Sequence, residues 1–218
     1  MVLAAGRGER MRPLSDTVPK PLLQVGGRPL IAYHLEALAR AGVSEAIVNL
    51  SWLGQRIREA LGDGGYGLRI RYSEEGPVPL ETGGGIVKAL PLLGADPFIV
   101  LSADIWTDFD FGDLELSTDA DAELVFVPNP PYHPHGDFAL EGGRVLERAS
   151  GRLTYANIGL FRAELFSGFS AGRFPLVRAL ERGIRTGRVR GRIHLGEWAN
   201  VGTAEQLAAL AERLRALT

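Results

Sequence analysis

The chain has 218 residues, of which 45% are hydrophobic, so it is long enough for one α/β domain with a substantial buried core. Its formal net charge of −2 gives no overall electrostatic basis for binding nucleic acid or an anionic membrane. The absence of cysteine excludes disulfides, thiolate zinc sites and a cysteine nucleophile. No apolar run approaches the ~20 residues of a membrane span and no signal-peptide pattern is present, so we expect a cytoplasmic enzyme.

Apolar runs typical of buried strands alternate with helical periodicities in the first half of the chain. In chain order, we predict strands at 2–4, 46–50, 68–72 and 98–101, and helices at 29–41, 53–61 and 86–90. Pro91 is expected to stop the last of these helices. The first strand is very short for a central one, so either the start is assigned late or a few residues have been lost. The alternation predicts an α/β fold, specifically a Rossmann-like three-layer αβα sandwich with a mostly parallel central sheet.

The pattern changes after about residue 108. Strand-like segments at 124–127, 138–140 and 158–161 are separated by few helices, and a last helix is predicted from about Ala204. We expect extra strands on the same core, and hence a single domain over 1–218 whose halves meet at about residue 108. A basic run is typical of a solvated face, although one of its members could meet an anionic substrate. Its members are Arg182, Arg185, Arg188, Arg190 and Arg192.

A glycine-rich segment with basic residues follows the first strand. Gly6 and Gly8 let the backbone approach a polyphosphate and point N–H groups at it, and Arg10 adds a charged donor. Lys20, held between two prolines, suits a point charge aimed at one phosphate. An ordinary strand-to-helix turn would also explain the two glycines alone. A dinucleotide fingerprint is excluded because Met11 stands where it needs a third glycine, and a P-loop because no Gly-Lys-Ser/Thr occurs.

Two further segments have the composition of binding elements. Asp104 ends an apolar strand, and ligands of open parallel sheets bind at the carboxyl ends of strands. Because Mg²⁺ is often held by one or two protein oxygens plus phosphates, Asp104 is a candidate metal ligand, with a turn-forming role as the alternative. Asp108 is expected to be a loop or helix-cap residue. The segment 82–85, Thr-Gly-Gly-Gly, leaves room for a flat base or ribose, and the alternative there is a flexible loop.

These motifs resemble those of the sugar-1-phosphate nucleotidyltransferase family. Gly-x-Gly-x-Arg-Met-x-Pro-Leu at 6–14 and Pro-Lys-Pro-Leu at 19–22 are similar to its signature, and the likeness extends over nearly the whole chain. It implies Mg²⁺-dependent transfer of a nucleotidyl group from a nucleoside triphosphate to a sugar-1-phosphate, with release of pyrophosphate. It also implies a nucleotide-binding half at about 1–108 and a sugar-binding half at about 109–218. The motifs at 52–55, 81–85 and 106–108 look like the N-acetylmuramate-1-phosphate uridylyltransferase group, which implies UTP as donor and a role in peptidoglycan recycling.

The resemblance also implies roles for individual residues. Arg10 is expected to contact the departing pyrophosphate and Lys20 the α-phosphate, and both are expected to be catalytic. Many relatives carry aspartate where this chain has Asn200, whose amide oxygen can bind Mg²⁺ without adding charge. The alternatives are a helix cap for Asn200 and a surface turn for Asp137. The implied nucleotide-binding residues are Ala5, Gly6, Gly8, Glu9, Arg10, Lys20, Thr82 and Gly83, the sugar-binding residues Ser102, Gly136, Asp137 and Asn157, and the metal ligands Asp104 and Asn200.

Other functions stay open. The same chemistry could act on mannose-1-phosphate with GTP or on glucose-1-phosphate with dTTP. A non-catalytic domain that senses sugar nucleotides is the alternative from another class, but the retention of Arg10, Lys20 and Asp104 argues against it. None of His34, His133 and His135 is assigned a catalytic role. The expected partners are the two small substrates, with no nucleic acid or membrane, and a monomer or small homo-oligomer is expected.

Overall fold

The computed structural model describes residues 1–148 and 150–216, and its fold is α/β. Within these residues no helix is both long and apolar enough to cross a membrane. The strands are β1 (Val2–Leu3), β2 (Gln24–Val25), β3 (Arg28–Pro29), β4 (Glu45–Leu50), β5 (Gly64–Gly65), β6 (Leu68–Glu74), β7 (Phe98–Ser102), β8 (Ile105–Thr107), β9 (Ala122–Val127), β10 (Phe138–Glu141), β11 (Arg144–Leu146), β12 (Arg152–Phe161), β13 (Val189–Ile193) and β14 (Trp198–Asn200). The α-helices are α1 (Leu14–Thr17), α2 (Leu30–Arg40), α3 (Gly54–Leu61), α4 (Glu81–Leu93), α5 (Val177–Arg185) and α6 (Ala204–Ala216).

Contacts between residues divide the chain into two compact units. The first, which we call the glycine-loop unit, comprises Val2–Pro79, Ser102–Gly112 and the segment from Glu197 onward. The second, the strand-rich unit, comprises Met1, Leu80–Leu101 and Asp113–Gly196.

The glycine-loop unit contains parallel strands, the helices α1, α2, α3 and α6, and two short antiparallel ribbons, β2–β3 and β8–β14. Strands β1, β4 and β6 pair in parallel, with Val48 opposite Val2 on one side and Tyr72 on the other. The predicted apolar stripe of α2 is confirmed, because Leu35 and Leu38 are buried on one helix face. A second ribbon, β8 antiparallel to β14, is covered by α2 and α6. An apolar cluster between this ribbon and the two helices consists of Val25, Leu30, Trp106, Val201 and Leu210.

Antiparallel pairing prevails in the strand-rich unit. Strand β12 pairs antiparallel with β7, β9 and β10. Strand β11 pairs antiparallel with β10 and with β13. Among the pairings described in this unit, only that of β13 with β9 is parallel. The register of β12 against β9 shifts between Tyr155 and Gly159. Asn157 lies inside this irregularity with φ +58°, a left-handed conformation that favours glycine or asparagine.

The predicted helix at 86–90 is wrong at both ends. The structure has α4 from Glu81 to Leu93, and Pro91 lies inside it. Pro91 has no N–H to donate to the preceding turn, but the helix continues to Leu93 and ends at Gly94, which has φ +84°. At the other end, Gly83 and Gly84 are buried and helical despite their low propensity, since a neighbouring segment packs against them.

The basic run forms a helix end and a strand that the sequence did not reveal. Arg188 makes two hydrogen bonds of 2.6 Å to the Asp121 carboxylate, and Arg192 donates to Glu123 at 2.8 Å. Both carboxylates are nearly buried, so these arginines neutralise charge inside the unit. Arg188 and Arg192 themselves remain 42% and 33% exposed, so they stay in contact with solvent while they cover the two carboxylates.

Candidate functional site

The glycine-rich loop is held by side chains outside it. Gly8 has φ +67°, a left-handed conformation that glycine adopts without strain. The buried Ser15 hydroxyl donates to the Gly8 carbonyl oxygen at 2.7 Å, and Trp52 Nε1 donates to the Ser15 carbonyl at 3.0 Å. The guanidinium carbon of Arg7 lies 4.5 Å from the centre of the Trp52 ring. The shape of the loop therefore depends on residues that come after it in the chain.

Two buried hydrogen bonds in series hold the end of β1, where the glycine-rich loop begins. The backbone N–H of Ala4 donates to Asn49 Oδ1 at 2.6 Å, and Asn49 Nδ2 donates to Glu75 Oε1 at 2.6 Å. Asn49 and Glu75 are both buried. Sequence reasoning did not single them out. The available signal was an asparagine within the apolar run of β4, where a polar group needs a partner. Ala5 and Gly6 follow directly from this anchored point.

Lys20 and Asp104 form a short ion pair. The Nζ of Lys20 lies 2.6 Å from Asp104 Oδ2. Lys20 starts a single 3-10 turn after Pro19, which leaves its side chain only 9% exposed, whereas the Asp104 side chain is 34% exposed. A β-carbon built on Gly8 would lie 3.5 Å from the Lys20 Cβ, so the loop passes against the lysine stem. The structure therefore brings together three residues that were singled out far apart in the sequence.

Asp104 and Asn200 are neighbours through the β8–β14 ribbon. The Val201 N–H donates to the Asp104 carbonyl oxygen at 2.7 Å, and Asn200 lies opposite Ile105 in the ribbon. Asn200 is thus a strand residue. The alternative in which it caps the last helix is wrong, since the Thr203 hydroxyl accepts the Gln206 N–H in the first turn of α6.

The guanidinium of Arg10 lies beside the same ribbon. A β-carbon built on Gly202 would lie 3.2 Å from Arg10 Nη2 and 3.1 Å from Gln206 Oε1. Gly202 therefore leaves room for the arginine two residues after Asn200. Arg10 itself belongs to the 3-10 turn Glu9–Met11, which follows the glycine loop.

His34 is the buried titratable group beneath this cluster. It is 2% exposed, and its Nε2 lies 2.7 Å from the carbonyl oxygen of Ile105. Burial lowers the pKa of His34 to about 4, although the hydrogen bond to Ile105 and the charge of Asp104 act in the opposite direction. The ring is therefore neutral at neutral pH. A histidine on an apolar helix stripe was the sequence signal for such a buried hydrogen bond.

Oxygen donors are the metal-binding groups present in the cluster. The Asp104 carboxylate, in the turn just before β8, and the Asn200 amide, on the paired strand β14, suit a hard cation such as Mg²⁺. The partial exposure of Asp104 leaves it accessible. Within the part of the chain that the structure describes, no group of three or more His, Cys, Asp or Glu side chains could hold a metal.

In the strand-rich unit, Thr82 and Gly83 contact protein groups at the start of α4. The Thr82 hydroxyl accepts the Leu176 N–H at 2.8 Å, and the Gly83 N–H donates to the Phe174 carbonyl at 3.0 Å. A β-carbon on Gly83 would overlap the Phe174 ring. Close packing is thus one reason for glycine here, and the assignment of Thr82 and Gly83 to the nucleotide stays a prediction.

The predicted sugar-side aspartate braces the strand turn on which it lies. Asp137 Oδ2 accepts the Tyr155 N–H at 2.8 Å, and Oδ1 lies 3.1 Å from His133 Nε2. Burial, and then the charge of Asp137, raise the pKa of Tyr155. Gly136 has φ +58°, which suits the turn. Ser102, the fourth predicted sugar-side residue, ends β7 and belongs to the glycine-loop unit.

Comparison with known proteins identifies the family of the chain. The Nucleotidyl transferase family model matches residues 1–139. The chain is 47% identical to an N-acetylmuramate alpha-1-phosphate uridylyltransferase from Neisseria meningitidis, over 95% of this chain and 94% of the relative. It is 35% identical to a protein of the same name from Caulobacter vibrioides, over 98% and 96%.

Solved structures show the same fold. The crystal structure of HddC from Yersinia pseudotuberculosis complexed with GMP-PN superposes with a TM-score of 0.79 at 22% identity, over 98% of this chain and 97% of that one. At this identity the likeness establishes the fold alone. The family model covers more than half of the chain, and two relatives above 30% identity cover nearly all of it. The chain therefore belongs to the nucleotidyl transferase family.

Proposed function

We propose that the chain transfers UMP from UTP to N-acetylmuramate 1-phosphate, which forms a nucleotide sugar for peptidoglycan recycling and releases pyrophosphate. The observation that carries the choice of substrates is the name shared by two relatives that match nearly the whole chain. The arrangement of Lys20, Asp104 and Arg10 in the glycine-loop unit supports the type of reaction.

The reaction is a direct displacement at phosphorus. A phosphate oxygen of the sugar-1-phosphate attacks the α-phosphorus of UTP, and the bond from that phosphorus to the bridging oxygen of pyrophosphate breaks. Because both reactants are anions, the protein must offset their repulsion. Lys20 neutralises charge at the α-phosphate, and Arg10 binds the departing pyrophosphate. Alignment of the two reactants supplies much of the remaining acceleration, and no nucleophilic side chain is required.

Asp104 and Asn200 would hold Mg²⁺, together with phosphate oxygens. When bound there, the ion supplies positive charge beside the reacting phosphates. With a single carboxylate between them, these two residues provide few ligands, so we expect metal affinity to rise strongly when UTP is bound. Lys20 Nζ lies 2.6 Å from Asp104 Oδ2, and this hydrogen bond orients the carboxylate before substrate arrives.

The other assignments complete the proposal. Ala5, Gly6, Gly8 and Glu9 line the triphosphate, and Thr82 and Gly83 lie near the base. Ser102, Gly136, Asp137 and Asn157 bind the sugar-1-phosphate. A single nucleotidyltransferase domain over 1–218, built as a Rossmann-like three-layer αβα sandwich with a mostly parallel central sheet, is the architecture that goes with these roles. The parallel pairing of β1, β4 and β6 supports it. A cytoplasmic location agrees with the use of UTP.

A pyrophosphate-release assay tests the proposal. UTP, GTP, dTTP and CTP would each be paired with the 1-phosphates of N-acetylmuramate, N-acetylglucosamine, mannose and glucose. We expect UTP with N-acetylmuramate 1-phosphate to give a kcat/KM at least about tenfold above any other pair, which corresponds to roughly 1.4 kcal/mol of discrimination. Preferred turnover of GTP with mannose-1-phosphate, or of dTTP with glucose-1-phosphate, would replace the uridylyl assignment. Tight nucleotide binding without turnover of any pair would favour a sensor.

A further inference from the structure

A single backbone carbonyl links His34 to both candidate metal ligands. The Ile105 oxygen accepts from His34 Nε2 at 2.7 Å, because a carbonyl cannot donate. Ile105 directly follows Asp104 in the chain and lies opposite Asn200 in the β8–β14 ribbon. A displacement of Ile105 would therefore move the carboxylate and the amide together.

The rest of the ribbon is fixed by other contacts. At its far end, the Thr107 hydroxyl donates to the Glu197 carbonyl at 2.9 Å, and the Glu197 N–H donates to Asp108 Oδ1 at 2.8 Å. On its covered face, Trp106 and Val201 pack in the apolar core with α2 and α6. Apolar packing tolerates small shifts, whereas a short hydrogen bond defines a distance. The hydrogen bond from His34 fixes the position of the Ile105 carbonyl, at the end of the ribbon next to Asp104.

The tautomer and charge of His34 suit this role. Its Nε2 must carry the proton in order to donate to Ile105, and the buried ring is neutral, so it adds no cation next to a site that is to receive one. We propose that His34 is a positioning residue of the metal site, whose hydrogen bond to the Ile105 carbonyl holds Asp104 and Asn200 in place for the ion. This inference rests on the proposed function, and it assigns His34 no contact with substrate.

Two substitutions separate the hydrogen bond from the volume of the side chain. His34→Gln keeps an N–H donor near the position of Nε2, and His34→Met fills similar space without a donor. The probe is Mn²⁺ binding in the presence of UTP, measured by electron paramagnetic resonance, alongside UTP binding in EDTA. We expect His34→Met to weaken Mn²⁺ binding about 10- to 100-fold, as for other residues that orient metal ligands, and to leave UTP binding in EDTA unchanged. His34→Gln should bind Mn²⁺ within about threefold of wild type.

A matched control tests for simple destabilisation. Leu38→Ala removes buried apolar volume from the same helix, since Leu38 is 1% exposed. It should lower the unfolding temperature yet leave Mn²⁺ binding in place. If His34→Met does not fold, His34→Asn replaces it, because its shorter side chain cannot place a donor at Nε2.

The outcomes distinguish the two proposals. Wild-type Mn²⁺ binding in a folded donor-free variant, or equal weakening in Leu38→Ala, would overturn the positioning role and leave the proposed function intact. A wild-type protein that binds no Mn²⁺ with UTP would overturn the metal assignment itself, and the role of His34 with it.

Discussion

The two units of the molecule use their ion pairs differently. In the glycine-loop unit, Lys20 is nearly buried but its partner Asp104 is 34% exposed. In the strand-rich unit the carboxylates are the enclosed partners, since Asp121 and Glu123 are 11% and 9% exposed beneath their arginines. A solvent-exposed carboxylate can bind a metal ion that arrives with a phosphate substrate. An enclosed carboxylate depends on its arginine for charge neutralisation. The exposure of the carboxylate therefore distinguishes the ion pair of the candidate active site from the ion pairs that stabilise the fold.

The largest expected effect tests the exposed pair. Asp104→Ala should lower kcat about 10³-fold, because it removes the candidate metal carboxylate and the partner of Lys20. The far-ultraviolet circular dichroism spectrum should stay that of the wild type, since the side chain is partly exposed. Pyrophosphate release at saturating substrates is the measurement. Near-normal turnover in this variant would remove Asp104 from the metal site.

The second prediction compares buried titratable groups of the two units. The pKa of His34 is lowered to about 4 in the folded protein, against about 6.5 when unfolded, so the unfolded state takes up a proton first as the pH falls. The contribution of His34 to the free energy of unfolding should be fully present above about pH 6.5 and should be lost progressively as the pH falls to about 4. Tyr155, whose pKa is raised, stays neutral throughout this range and adds no such dependence.

Urea unfolding of wild type and His34→Gln at pH 7.5 and 4.5 measures this dependence. Between the two pH values the wild type should lose about 2 to 3 kcal/mol more than the variant. Equal losses in the two proteins would show that His34 does not titrate as its burial requires.

The third prediction concerns the enclosed pair. Arg188→Met should lower the urea concentration at the midpoint of unfolding, because it leaves the Asp121 carboxylate nearly buried without its bidentate partner. The kcat should stay within about threefold of wild type. Denaturant titration and the turnover assay are run on the same preparation. A variant that kept its stability but lost turnover would reverse the distinction between the two ion pairs.

The smallest expected effect concerns the place of Arg10. Gly202→Ala would bring a β-carbon to 3.2 Å from Arg10 Nη2, so the guanidinium must shift. We expect kcat/KM for UTP to fall about tenfold. Gly64→Ala is the matched control, because its β-carbon would meet nothing closer than 3.6 Å and its φ lies outside the left-handed region. Equal kinetics in the two variants would place the working position of Arg10 elsewhere.

Local signals predicted a good part of the fold. The stripe on α2 and the strands β4 and β6 follow from periodicity, and Lys20 and Asp104 were chosen from residue type and motif. The roles of the site residues stay predictions, although the pair itself lies at 2.6 Å.

The parts that sequence reasoning missed depend on distant partners. The pairing of Arg188 with Asp121 spans 67 residues, and that of His34 with Ile105 spans 71. The helix start at Glu81 depends on packing by Phe174, which no local pattern shows. In each case a tertiary contact outweighs the local preference on which the prediction rested.

A crystal structure of the protein with Mg²⁺ and a non-hydrolysable UTP analogue tests the central claim most directly. The account predicts the α-phosphate beside Lys20, the β- and γ-phosphates within reach of Arg10, and the ion bound by Asp104 and Asn200. A nucleotide whose phosphates lie away from Lys20 and Asp104, or an ion held by other side chains, would contradict it.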